Sequence, residues 1–285
     1  MNSPSWRTAQ ALSSRDAQEL NQLLTFLKTS CGFDFSGYKR ASLIRRFQKR
    51  MRAIGVTGFL AYADYLEREP AELGHLLDTV LINVTAFFRD GTPWDRLRND
   101  VVPRLVADKA PDAPIRVWCA ACATGEEAYT VAMVLADVLG HDTFRSRVTI
   151  YATDIDEVAL AHARKGVYDA KQVAPIPPDS LKRYFERQDT VYRFRRDLRR
   201  SLVFGRNDLV QDAPLSRLDL LVARNILMYF TAPTQAHVLG RFSFALNDGG
   251  YLFLGRSETV LTQRAAFTAI DLRHRIFVRN ARGVS

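Results

Sequence analysis

The sequence predicts an α/β protein in which a small helical domain precedes a mainly parallel sheet with helices on both faces. Three observations carry this expectation. Apolar side chains recur at helical spacing over the first ninety or so residues, short apolar runs alternate with helical ones beyond Pro114, and several of those runs end in small or polar residues. The chain has 285 residues, 47% of them hydrophobic and 25% charged, which is ordinary globular composition and argues against a disordered or fibrous class.

Leu20, Leu23, Leu24 and Leu27 share a helical face behind Ser13-x-x-Asp16, a candidate capping box, and that run stops near Gly32. Ile44, Phe47, Met51 and Ile54 mark a second helix ending at Gly55. A third begins near Thr57, carries Phe59, Tyr62 and Leu66, and is stopped by Pro70; Leu73, Leu76, Leu77, Val80 and Leu81 supply a fourth. This divides the chain into a helical domain over 1–90 and a larger domain over 91–285. In the larger domain IRVWCAA, a helix from Glu126 to Leu139, VTIYATD and a helix from Glu157 to Lys165 alternate as a parallel sheet requires. LDLLVA, a helix through Ala232 to Leu246, GGYLFLG and RHRIFVRN continue it, the last two as a possible antiparallel edge pair with an unassigned loop between them. From Val167 to Arg206 the alternation breaks into VAPIPPD, a short helix SLKRYF and two strand-like runs, TVYRF and SLVFG. That stretch reads as an inserted small antiparallel β subdomain over about 167–206.

No stretch reaches the ~20 apolar residues of a membrane-spanning helix, and the N-terminus, MNSPSWRTAQALSSRD, lacks the apolar core of a secretory signal. Cys31, Cys119 and Cys122 are an odd set, which fits a reducing compartment better than a disulfide framework. Cys119 and Cys122 form a C-x-x-C with no second pair or nearby histidines to complete a zinc site, so no metal is expected. The expectation is a soluble, cytoplasmic protein. A formal charge of +9 points to an acidic partner, which charge alone leaves open among nucleic acid, an anionic membrane and an acidic protein.

In RVWCAACATGEEAY an apolar strand ends in small residues and Gly125 before a helix, a place where backbone can approach a ligand closely. The segment is not G-x-G-x-x-G and no G-x-x-x-x-G-K-[ST] occurs, which disfavours a dinucleotide or a triphosphate. Asp154 ends the next strand, where a carboxylate can accept from both hydroxyls of a ribose; the alternative is a helix N-cap, a role open to Asp154 or Asp156. Together Gly125 and Asp154 suggest an adenosine-containing ligand. Asn207 and Asp208 follow SLVFG, and Arg224 and Asn225 follow LDLLVA, where they suit either an adenine edge and an amino-acid carboxylate or routine turn chemistry.

Five separated blocks, NVTAFFRD at 83–90, VWCAACATGEEAY at 117–129, ATDID at 152–156, ARNILMYF at 223–230 and GGYLFLGRSE at 249–258, resemble the chemotaxis receptor methyltransferases (CheR). The similarity runs from about Phe33 to Val278. It implies a Rossmann-like S-adenosylmethionine-dependent methyltransferase domain behind a helical substrate-docking domain, with a small β subdomain inserted. By motif, the cofactor contacts would be Asn83, Thr85, Arg89, Gly125, Glu126, Asp154, Asn207, Asp208, Asn225 and Ile226. Arg89 and Tyr229 are the catalytic candidates, Tyr229 having packing at the sheet's end as its alternative. Ala128 stands where many relatives have proline, a change that a helix's first turn accepts.

The resemblance implies transfer of a methyl group to receptor glutamates, giving glutamate methyl ester and S-adenosylhomocysteine. A glutamate with a pKa of ~4.3 is ionised at neutral pH and needs no general base, in keeping with the lack of a partnered nucleophile in the sequence. From Phe35 to Ala63 there are seven basic residues and no acidic one. Arg45, Lys49 and Arg52 share one face of the second helix, with Arg46 and Arg50 beside them, a surface suited to a receptor's acidic helical signalling domain. Arg193, Arg195, Arg196, Arg199 and Arg200 make the insert basic as well, and in some family members this subdomain docks a receptor's C-terminal peptide. The enzyme is expected to be a monomer without membrane insertion. Two alternatives stand beside this reading. One is a nucleic-acid methyltransferase, although ARNILMYF lacks a [DNS]-P-P-[YFW] loop and the basic helix lacks aromatic interleaving; the other is a cofactor-binding regulatory module without turnover.

Overall fold

The computed structural model describes residues 13–281; of the stretch in which no signal-like apolar core was found, residues 1–12 lie outside the described residues. Two compact units divide the chain, one running up to Ile82 and including Tyr229–Thr231, the other taking Asn83–Met228 and resuming at Ala232. Residues 83–90 therefore fall in the larger unit and not, as the sequence suggested, in the helical domain.

The helical unit comprises α1 (Ser14–Cys31), α2 (Arg40–Ala53), α3 (Phe59–Arg68) and α4 (Pro70–Val80). Ser13 caps α1 by accepting the Asp16 amide at 3.1 Å, and Gly32 ends it with a left-handed φ of 71°. Leu20, Leu23, Leu27, Leu43, Phe47, Met51, Tyr62, Leu66, Leu76 and Val80 form its core. The buried stripe of α2 thus runs Leu43–Phe47–Met51, and Ile44, expected on it, sits at its margin. One polar knot crosses this core. The Arg50 guanidinium donates twice to the Glu72 carboxylate at 2.5 Å, and the Tyr62 hydroxyl donates to it at 2.8 Å, so that α2, α3 and α4 share one buried anion. Burial alone would raise the Glu72 pKa, but the hydrogen bonds from Arg50 and Tyr62 outweigh it and hold the carboxyl below its usual range. The Tyr229–Thr231 segment joins the same unit: Lys39 N–H donates to the Tyr229 carbonyl at 2.8 Å, and the Tyr38 and Phe230 rings meet edge to face at 5.0 Å.

In the larger unit α5 (Thr92–Arg96) and α6 (Val102–Ala107) flank a π-helical turn, followed by β1 (Ile115–Ala120), α7 (Glu126–Leu139), α8 (His141–Arg147), β2 (Val148–Asp154) and α9 (Glu157–Lys165). The insert follows with β3 (Val167–Asp169), α10 (Ala170–Val173), α11 (Pro178–Tyr184), β4 (Phe185–Gln188), β5 (Val191–Phe194) and α12 (Arg196–Arg199). The chain then returns through β6 (Leu202–Arg206), β7 (Leu218–Ala223), α13 (Ala232–Ala245), β8 (Leu246–Leu254), β9 (Phe267–Asp271) and β10 (Ile276–Arg279). Seven strands form a mixed sheet in the order β6-β2-β1-β7-β8-β10-β9, parallel except at β10, which runs antiparallel to both β8 and β9.

Two strand expectations change. SLVFG does not belong to the insert: as β6 it pairs parallel with β2, from Ile150 opposite Leu202 to Asp154 opposite Arg206. The small antiparallel sheet is β3-β5-β4 instead; the sequence pattern marks only β5 as a strand, and Val167–Asp169 and Phe185–Gln188 are the two it does not. A half-buried edge strand has the same alternating pattern in either sheet, so periodicity could not assign it. RHRIFVRN pairs antiparallel with GGYLFLG, but the edge belongs to β9, within the stretch left unassigned, where Phe267 alone is buried.

Glu72→Ala should lower the stability of the full chain by roughly 2–3 kcal/mol, because it leaves the Arg50 guanidinium without its anion. Since the folded pKa of Glu72 lies below the unfolded value, its contribution is complete above ~4.3 and is lost as pH falls through the lowered folded value. Thermal melts from pH 7 to pH 3 should therefore show a smaller acid-induced loss in Glu72→Ala than in the wild type.

Candidate active site

β1 is the pivot of the sheet. The chain proceeds from β1 outward through β2 to β6, then crosses to the other side as β7 and β8, so the carboxyl ends of β1 and β7 mark the switch point at which open α/β sheets form their ligand crevice. The turn after β1 is tightly wound: Ala121 and Ala123 have φ of 58° and 47°, and Gly125 caps α7 at 97°. A Cβ on Gly125 would lie 2.9 Å from the Ala163 Cβ and 3.0 Å from the Tyr168 hydroxyl, so only glycine allows this packing. Ala128, in the first turn of α7, is wholly buried.

Asp154 ends β2 and ties the strand-end turns together. One carboxylate oxygen accepts the Ala123 amide at 2.8 Å, the other the Asp156 amide at 3.0 Å, and the Asp154 carbonyl accepts the Asn207 amide at 3.0 Å. Burial pushes its pKa up, against the backbone amides that stabilise the anion. Of the two cap candidates, Asp156 caps α9, accepting the Val158 and Ala159 amides at 2.8 and 3.1 Å. Its second oxygen accepts the Asn83 side-chain amide at 2.6 Å. Each Asp154 oxygen keeps a further lone pair, so acceptance from a diol remains open to it.

The loop after β7 is shaped by a residue to which the sequence reading gave no role. Glu258, 3% exposed, accepts the backbone amides of Asn225, Leu227 and Gly255 at 2.8, 2.7 and 2.7 Å. Asn225 is thereby held at a φ of 65°, with Ile226 half-buried beside it. The side-chain oxygens of Asn207 and Asn225 are both buried without a hydrogen-bond partner, an arrangement that a native fold keeps when a ligand completes it. Asp208 differs: its carboxylate accepts the Val210 and Gln211 amides at 2.8 and 3.2 Å and so closes its own turn.

The 83–90 segment is fastened along its length. Asn83 binds Asp156, the Phe88 amide donates to the Thr130 hydroxyl at 3.2 Å, and Asp90 pairs with Arg224 at 2.7 Å. Thr85 is half-buried between these points, and the Arg89 guanidinium turns back to the Val84 carbonyl at 2.7 Å. Arg224 lies between the Trp94 and Phe253 rings, 5.0 and 4.8 Å from their centroids, and also donates to the Arg89 carbonyl at 3.2 Å. The two glutamates that open α7 are both buried. Glu126 accepts the Thr124 hydroxyl at 2.7 Å. Glu127 stands 3.6 Å from Arg224 with one oxygen unpartnered, and burial pushes its pKa up to about 7.

Two family models match: "CheR methyltransferase, SAM binding domain" over residues 83–276 and "CheR methyltransferase, all-alpha domain" over 18–81. The chain belongs to the CheR methyltransferase family. It is 30% identical over 249 residues to a chemotaxis protein methyltransferase of Borreliella burgdorferi, covering 85% of this chain and 88% of that one. The Escherichia coli chemotaxis protein methyltransferase is 32% identical over 268 residues, 90% of this chain and 89% of its own. An uncharacterized 104.1 kDa protein of Rhodobacter capsulatus is 36% identical over 261 residues, of which this chain spans 92% of itself and 27% of that longer protein. This CheR-family chain accordingly has a Rossmann-like, S-adenosylmethionine-dependent methyltransferase fold behind an all-α domain. The strand ends suit such a ligand on chemical grounds: they offer unpartnered oxygens at Asn207 and Asn225 and a carboxylate at Asp154 with lone pairs to spare.

The expected site residues divide between the two units. Tyr229 ends the short helical turn Leu227–Tyr229 and groups with the helical unit. Among the five docking candidates, Arg45, Arg46, Lys49 and Arg52 line a cleft of about 280 Å³ with Thr79, whereas Arg50 is committed to Glu72 and leaves the set. Sequence reasoning missed Glu127 and Glu258, saw Asp156 only as a candidate cap, and saw Arg224 only as a strand-end polar group. The position of Glu258, three residues past Gly255 at a strand's end, was the available signal.

The folded pKa of Glu127 exceeds its unfolded value, so its neutral form stabilises the fold at low pH and this contribution is lost as pH rises from ~4.3 to about 7. Glu127→Gln should therefore be more stable than wild type at pH 8, and its melting temperature should fall less between pH 5 and pH 8. Parallel melting curves for the two proteins would show that Glu127 is ionised at no cost.

Proposed function

We propose that this protein transfers a methyl group from S-adenosylmethionine to glutamate side chains of a chemotaxis-type receptor, releasing S-adenosylhomocysteine. The observation that carries the reading is the set of unpartnered or doubly used acceptors at neighbouring strand ends, Asn207, Asp154 and Asn225, in a chain of the CheR family. When bound, the sulfonium supplies an electrophilic methyl group. Asp154 holds the ribose hydroxyls, Asn207 the adenine edge, Asn225, Ile226 and Glu126 the amino-acid portion, with Asn83, Thr85 and Arg89 closing the pocket from the 83–90 segment. Gly125 lets the turn pack against Ala163 and Tyr168 and so sets its course past the ligand. Asp208 contributes mainly by shaping the turn after β6. Arg89 is assigned to the reacting end.

A receptor glutamate arrives ionised, so these side chains have only to align it and exclude water; no residue need remove a proton. The exposed residues Arg45, Lys49 and Arg52, with half-buried Arg46, offer the docking surface for an acidic helical signalling domain. The outer strands of the β3-β5-β4 sheet have unpaired edges to which a receptor tail peptide can add. No helix among the described residues is long and apolar enough to cross a membrane. The proposed enzyme acts as a monomer in the cytoplasm, where the receptor's signalling domain would meet it.

Tritium transfer from labelled S-adenosylmethionine to receptor signalling domains, DNA and RNA tests the reading. Base-labile label on receptor glutamates alone is expected; label on nucleic acid, or cofactor binding without turnover on any receptor, would replace it by one of the alternatives. In the same assay the triple change Arg45→Glu, Lys49→Glu, Arg52→Glu should reduce receptor methylation at least tenfold and leave calorimetric affinity for S-adenosylhomocysteine unchanged. Full receptor methylation by that variant would remove α2 from the docking surface.

A further inference from the structure

We infer that Tyr168, carried by the inserted sheet, is a positioning residue for the cofactor pocket: it sets the Thr124–Glu126 turn and the 83–90 segment against each other. The inference rests on reading those two segments as S-adenosylmethionine contacts. Tyr168 is the middle residue of β3 and is 1% exposed, whereas Val167 and Asp169 on either side point outward, as strand alternation requires. Pairing with Tyr192 of β5 fixes its place in the small sheet.

Its two ends do different things. The hydroxyl donates to the Thr124 carbonyl at 2.8 Å, and the same oxygen is the atom that stands 3.0 Å from where a Gly125 Cβ would be. Because the peptide is planar, fixing the Thr124 carbonyl also fixes the direction of the Gly125 amide, which donates to the Cys122 carbonyl at 2.9 Å. The Thr124 hydroxyl is thereby placed to donate to Glu126 at 2.7 Å. The ring, meanwhile, meets Phe87 edge to face at 4.9 Å and 82°, in the segment between Thr85 and Arg89. Phe185 of β4 packs on Phe87 at 5.6 Å and on Tyr168 at 6.4 Å, so two strands of the insert clasp that segment. One buried side chain thus touches both cofactor-facing segments, and the insert is part of the pocket's frame as well as an outward-facing sheet.

Tyr168→Phe keeps the ring packing and deletes only the hydrogen bond, which makes it the informative variant. Calorimetry with S-adenosylhomocysteine, steady-state methylation of a receptor signalling domain and thermal melts should be run on wild type, Tyr168→Phe and Tyr184→Phe. Tyr184 is a control: it is equally buried, and its hydroxyl donates to Asp137 at 2.5 Å, on α7 well beyond the turn. Tyr168→Phe should raise the dissociation constant and the KM for S-adenosylmethionine together by roughly five- to tenfold, the factor one hydrogen bond is worth, with kcat within twofold of wild type. Tyr184→Phe should leave both constants unchanged. Unaltered affinity in Tyr168→Phe, or an equal loss in Tyr184→Phe, would overturn the inference while leaving the cofactor reading intact. Absence of binding by the wild type would instead remove the cofactor reading, and the inference with it.

Discussion

Both oxygens of one buried carboxylate, that of Asp154, accept backbone amides from different turns, Ala123 after β1 and Asp156 before α9. The geometry of the crevice follows from this constraint. A charge removed from water must be hydrogen-bonded to be tolerated, and the two amides that satisfy Asp154 are the ones whose turns wall the crevice. Asp156, fixed in its turn by that bond, caps α9 and reaches Asn83; Asn207 is placed through the Asp154 carbonyl. A residue that looks like a ligand for a ribose is also the anchor of the walls around it.

The same economy recurs on the other side of β1. Glu258 gathers three amides of the loop after β7 and its own strand end, and Arg224 holds the end of the 83–90 segment while lying between two aromatic rings. These buried ions are nearly all answered by a partner. Among the buried side-chain atoms left without a partner, an oxygen each on Asn207 and Asn225 follows a strand end and one on Glu127 lies at the start of α7, and an unmade buried hydrogen bond costs ~1–3 kcal/mol. In the proposed reading the oxygens of Asn207 and Asn225 are completed by the cofactor, and methyl transfer to an already ionised carboxylate asks for little beyond such a prepared, water-poor surface.

The helical unit separates its basic residues by task. Arg50 is drawn inward because Glu72 and the Tyr62 hydroxyl offer it a buried anion, and it holds three helices together. Arg45, Lys49 and Arg52 have no acidic neighbour on α2 and remain exposed, which keeps them available to steer an acidic partner.

The sequence alone determined the four helices, the strand-helix alternation, the glycine turn and the strand-end position of Asp154, because these depend on local periodicity, caps and breakers that act within a few residues. The five spaced blocks were enough to place the family. What only the tertiary structure decided was how these pieces share partners: β6 in the main sheet and not the insert, Asp156 and not Asp154 as the cap, Arg50 taken by Glu72, Glu258 and Tyr168 holding the pocket's loops. Strand pairing and burial of charge are settled between residues tens to more than a hundred positions apart, and a one-dimensional pattern gives the same signal for an edge strand in either sheet or for an arginine facing water or a hidden carboxylate.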